Sequence, residues 1–176
     1  MNRLLATLVA LTFSTTVWAQ PSVPADPLVV SAGYGTLQEG SHKAFATEAS
    51  IQYDFLRATP AQTVLTSSTH TFVLSGEAAL VVSPAGALEV SGGPVLELGY
   101  SKPEWAVHPY VSASTALGYG TGLNNTAGEV FSVGPGIGAD IPVGSSRVRI
   151  EARFRWKFSS NDRIGSGAAL RVGYSF

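Results

Sequence analysis

From Arg147 to Phe158 the chain reads R-V-R-I-E-A-R-F-R-W-K-F, with a charge at every odd position and an apolar residue at every even one. Basic side chains at that density could bind phosphate, or could meet carboxylates in a closed network. A nucleic-acid reader needs its bases clustered on one exposed surface. Here they alternate with apolar residues, which suits a strand whose charged face is turned to an enclosed polar space, so no nucleic-acid partner is expected. Acids to meet them lie on other alternating segments: Glu48, Asp54, Glu77, Glu89, Glu97, Asp140 and Glu151 stand against Arg147, Arg149, Arg153, Arg155, Lys157 and Arg171. Near balance is what ion pairs in a narrow lumen require, because an uncompensated charge taken out of water is costly.

Other reactive residue types are sparse. His42, His70 and His108 are far apart in sequence, whereas a catalytic or metal-bound histidine needs partners within reach. There is no cysteine, so disulfides, thiolate metal sites and lipoprotein anchors are excluded. The glycine runs at 134–138 and 118–122 superficially resemble phosphate loops, but each lies inside a strand pattern and opens no helix. No cofactor and no metal site is expected.

The elements that would carry these charges alternate throughout. Eight strands are predicted: 28–37, 44–55, 70–82, 87–100, 106–119, 129–141, 147–158 and 164–176. In the second, Phe45, Thr47, Ala49, Ile51, Tyr53 and Phe55 form one file, and Glu48, Ser50, Gln52 and Asp54 the other. Ser83-Pro84-Ala85-Gly86 reads as a tight turn. Pro94 is out of place inside a strand and predicts a bulge or bend there. Residues 57–69 read as a polar connection. Glycines at 134, 136 and 138 on the polar file leave room for long arginine side chains.

Alternation alone does not say which file faces inward. A soluble ligand-binding barrel would point the apolar file inward; a membrane barrel inverts it. Aromatic residues on the apolar files concentrate near strand ends, with Phe45, Tyr119, Phe131, Trp156 and Phe158 toward one rim and Tyr53, Phe55, Phe72, Tyr100, Tyr174 and Phe176 toward the other. Two such girdles are expected at the two bilayer interfaces. The reading is therefore all-β: an eight-stranded antiparallel up-and-down transmembrane β-barrel over 28–176, its strands exceeding the ~9–11 residues a tilted membrane strand needs. Closure follows because an open sheet edge cannot be satisfied in lipid. With both termini on the periplasmic side, the links near 38–43, 83–86, 120–127 and 159–163 face outside.

The first 19 residues read as a cleavable secretory leader, with Arg3, an apolar run from Leu4 to Phe13, and a cut after Ala19. Residues 20–27 hold three prolines and form a short lead-in.

The last strand, with Leu170, Val172, Tyr174 and the final Phe176 in one file, resembles the C-terminal signal of bacterial outer-membrane β-barrels. That resemblance implies insertion by the barrel-assembly machinery, outer-membrane lipid as the surroundings, and an OmpA-like or OmpX-like fold. A weaker resemblance is to the lipid A 3-O-deacylase barrels, which carry a His-x-Ser-Asn segment at the end of the seventh strand. Here the segment is Phe158-Ser159-Ser160-Asn161, so the serine and asparagine match while phenylalanine replaces the base. A serine hydroxyl without an adjacent base is a poor nucleophile. The acid expected on the last strand is missing as well. The expectation is a non-enzymatic barrel with a structural or interaction role in the cell envelope and a lumen plugged by ion pairs. A deacylase-like hydrolase and a soluble periplasmic ligand-binding barrel are the alternatives.

Overall fold

The computed structural model describes residues 27–58, 69–102, 104–123, 126–160 and 164–176. The expected leader, and the lead-in apart from Pro27, lie outside them. Eight strands follow one another: β1 (Leu28–Glu39), β2 (His42–Ala58), β3 (Thr69–Val82), β4 (Leu88–Ser101), β5 (His108–Thr121), β6 (Ala127–Val143), β7 (Ser146–Ser159) and β8 (Ile164–Ser175). Each pairs antiparallel with its chain neighbour, and β1 pairs with β8 to close the barrel. A 14-residue strand rising ~3.3 Å per residue at a tilt of ~40° covers ~35 Å, more than the ~25 Å apolar band of a membrane barrel.

Two hairpins turn within two residues, at 40–41 and 144–145, and each begins on a glycine with positive φ (58° at Gly40, 64° at Gly144). Only such a backbone matches the right-handed twist of the flanking strands across so short a loop. β3 and β4 join through the expected turn, where Gly86 has φ of 96° and its N–H donates to Ser83 O at 2.9 Å.

The faces sort as a membrane barrel sorts them, apolar outward and charged inward. Leu117, Ile137 and Val90 are more than half exposed on the outside, while Glu151, Arg153 and Arg171 are almost wholly buried within. This inverts the soluble ligand-binding alternative. The outer aromatics meet in pairs near both rims: Tyr34 with Phe45 and Phe131 with Phe158 at one, Tyr53 with Phe55, Tyr174 with Phe176 and Tyr100 with Trp105 at the other.

Two local expectations are corrected. Pro94 causes no bulge: Gly92 opposes Leu117 and Val95 opposes Ser114 in one unbroken register. A proline deletes an N–H from the ladder, and here it costs a bond without adding a residue. The one register shift falls instead between Asp54 and Leu56, opposite Ser75 and Leu74. The extra residue there, Phe55, leaves Phe55 outward and swings Arg57 into the lumen, as a bulge re-aims the side chains beyond it. The glycines of β6 make room for other residues than the arginines. A Cβ on Gly136 would fall 2.6 Å from Glu151 Oε1, and one on Gly138 would strike the Tyr110 ring, while Arg171 lies over Gly33.

The lumen network as candidate functional site

All thirteen charged residues singled out from the sequence project into the lumen, and Arg57 joins them, giving seven acids and seven bases among the described ion pairs. They form three tiers along the barrel, each neutral by itself.

The tier at the chain-terminus end holds Asp54, Glu97 and Asp140 against Arg57, Arg147 and Arg149. Arg149 forks onto Glu97 with Nη1–Oε1 at 2.6 Å and Nη2–Oε2 at 2.9 Å, and its Nε donates to Asp140 at 2.9 Å. Its guanidinium also lies over the Tyr110 ring, 4.6 Å from the centroid. Arg147 bridges Asp140 (3.2 Å) and Asp54 (2.8 Å). Gln52 ties the tier across β2, β3 and β4, its Nε2 donating to Glu97 at 2.7 Å and Ser75 at 3.0 Å, while Ser75 donates to Asp54.

The middle tier sets Glu48, Glu77 and Glu151 against Arg153, Arg155 and Arg171. Glu77 is its hub, meeting Arg153 at 2.7 Å, Arg171 at 2.9 Å and Arg155 at 3.2 Å. Glu48 joins Arg155 and Arg171, and Glu151 takes Arg153 and the Ser112 hydroxyl. Arg171 also donates to the Ser50 hydroxyl at 2.9 Å and stands 3.7 Å from Glu151. At the far end stands one pair, Lys157 with Glu89.

Beyond that pair the lumen turns apolar. Leu37, Ala46, Val81 and Ala87 cluster inside the far rim, and Leu123 from the β5–β6 connection packs against them, its N–H held by Glu39 at 2.8 Å. A pocket of about 20 Å³, room for about one water, lies between this plug and the tiers. The two ends therefore differ: among the described residues the far end holds an apolar cluster, whereas the terminus end opens into a cavity of about 300 Å³.

Sequence reasoning missed Arg57, whose direction depends on the bulge, and the plug. Leu37 and Val81 lie on the polar parity of β1 and β3 near the strand ends, which is the signal that could have located the plug. Of the remaining candidates, His42 and His70 are exposed, and His70 packs on Tyr100. His108 lines the terminus-end cavity, with Nε2 3.2 Å from Trp105 O.

Among the described residues, no side chain is hydrogen-bonded to the Ser160 hydroxyl of the deacylase-like segment. Phe158 points outward and stacks with Phe131, Ser160 is exposed with its N–H on Glu129 O, and Asn161 lies outside the described residues. His42 stands on the same rim but on β2, separated from β7 by β1 and β8, three strand spacings or ~14 Å along the wall.

No protein-family model matches the chain, and no curated protein sequence matches it. Solved structures do. The outer membrane enzyme PagL superposes with a TM-score of 0.57 at 14% identity, over 82% of this chain and 97% of that one. Neisserial surface protein A superposes with a TM-score of 0.53 at 12% identity, over 90% of this chain and 100% of that one. At such identities the likeness is one of fold. The chain has the fold of the small eight-stranded outer-membrane β-barrels.

Proposed function

We propose that this protein is a non-conducting outer-membrane barrel with a structural or interaction role in the cell envelope. The observation that carries this reading is the filled lumen: three self-neutral tiers of ion pairs beneath an apolar plug. An eight-stranded barrel is just wide enough inside for side chains to fill it, and ions crossing this one would have to displace buried, mutually bonded charges. The apolar outer wall with aromatics at both rims suits a bilayer. In this reading a leader over 1–19 is cut after Ala19. The outward file Leu170, Val172, Tyr174 and Phe176 is then read by the barrel-assembly machinery, with the β1–β2, β3–β4, β5–β6 and β7–β8 links outside.

The test is twofold. The membrane fraction should yield a band that migrates faster unboiled than boiled and partitions with the outer membrane. The purified barrel in planar bilayers should give no stable conductance steps. A soluble periplasmic protein would overturn the location, and reproducible single-channel steps would overturn the plugged lumen.

A further inference from the structure

We propose that the cavity at the terminus end of the lumen is a binding site for a small carboxylate, with Arg57 as its principal anchor. The cavity, about 300 Å³, is at the lower end of the range for small-molecule sites. Its wall includes Arg57, Arg147, Asp140, Tyr110 and His108. The unpartnered side-chain atoms of the cavity wall can all donate, and the tier's unpartnered acceptor, Gln52 Oε1, does not line the cavity. Arg57 meets Asp54 at 3.5 Å as an ion pair, and among the described residues its guanidinium makes no hydrogen bond. Its Nε, the Nε of Arg147 and the Tyr110 hydroxyl have no partner. Every other lumen arginine donates at least one hydrogen bond to an acid.

The acids at this end are by contrast engaged. Asp54 is wholly buried, and Asp140 accepts from Arg147 once and from Arg149 twice. A cation would find no free carboxylate, whereas an acceptor finds the partly exposed Arg57 guanidinium, which holds no hydrogen bond among the described residues. A guanidinium fork matches two coplanar oxygens, as in a carboxylate. Asp54 keeps Arg147 at 2.8 Å while Arg57 stands 3.5 Å away, so a bound monoanion can take Arg57 at the cost of one net negative charge on the tier, and a dianion would leave two. The bulge at Phe55 has thus delivered an arginine that Asp54 holds only at 3.5 Å.

The assignment goes beyond the structural reading and does not depend on it, although a periplasmic source for the ligand rests on the proposed topology. The source is either a free small acid or the terminal carboxylate of a peptide. The test is an NMR titration of the full barrel in nonionic detergent with sodium acetate, and separately with N-acetyl-alanine, at ionic strength held constant with chloride. Saturable shifts are expected at the amides of Ser101, Tyr110 and Ser146 and at the Arg57 Nε–H, with none at Leu123. Similar affinities point to a free acid, and markedly tighter N-acetyl-alanine to a peptide terminus.

Arg57→Gln should weaken binding by about 10-fold or more, since each tenfold in affinity reflects one good polar contact. A second variant guards against a rearranged tier. A Cβ on Gly99, which lines the cavity, meets nothing nearer than 3.7 Å, so Gly99→Phe can occupy the cavity while removing no charged residue. It should abolish binding. Shifts that fail to saturate, that appear equally with chloride, or that survive both variants would overturn the site.

Discussion

Asp54 and Arg57 are three residues apart on one strand, yet both face the lumen, with Nη2 and Oδ2 3.5 Å apart. On a regular strand residues three apart point to opposite faces. The bulge at Phe55 removes that opposition, and with it the terminus-end tier becomes neutral.

The most exposed and the most buried arginine of that tier should differ sharply in their effect on stability. Arg57 is partly exposed (29%) and Asp54 keeps Arg147, so Arg57→Gln should cost no more than ~1 kcal/mol, as for partly solvated pairs. Arg149 is fully buried and serves Glu97 and Asp140 together, so Arg149→Ala should cost ~3–5 kcal/mol. Urea unfolding of the refolded barrel in lipid vesicles measures both, and equal midpoints for the two variants would contradict the tiers.

Among the described residues, Glu77 is the only acid that meets three arginines of the middle tier. Glu77→Gln leaves three buried cations with two acids, and a loss of ~3–5 kcal/mol is expected in the same unfolding assay. Arg153→Glu should do at least as much harm, because it places a carboxylate beside Glu77 and Glu151. An unchanged midpoint in either variant would mean that these groups are solvated.

Among the described residues, Lys157 and Glu89 form an ion pair with no third charged member. Lys157→Glu alone should destabilise the barrel, and adding Glu89→Lys should recover most of the loss. A double-mutant cycle reads that coupling, expected within the ~0.5–3 kcal/mol range of contacting pairs. Purely additive effects would show that the two side chains do not meet.

Phe176 separates assembly from stability. Its ring is exposed and touches Tyr174 edge-on at 5.0 Å, while its N–H donates to Leu28 O, a bond that does not need the ring. Phe176→Ser should therefore refold in vitro with a midpoint within ~1 kcal/mol of the parent. In cells it should deplete the heat-modifiable outer-membrane band and accumulate in the periplasm. Normal insertion in cells would remove the terminal-signal reading.

The fold was legible in the chain because a strand's side-chain period is two, so each segment displays both its faces in the order of its residues. The alternation at 147–158 and 44–55 located strands within a few residues of where they lie, and the two sets of aromatics indicated the outward file before any packing was known. The near-balance of acids and bases likewise marked the lumen residues. Which acid meets which base was not readable, because the partners are brought together by barrel closure across as many as 123 residues, as in Arg171 with Glu48. Nor could the sequence place Arg57, since one bulged residue reverses the parity of all that follow, and nothing local marks Phe55 rather than Pro94 as that residue. The apolar plug was hidden for a related reason: Leu37, Val81 and Leu123 are ordinary residues singly, and become a seal only where three strands and a loop converge on one rim.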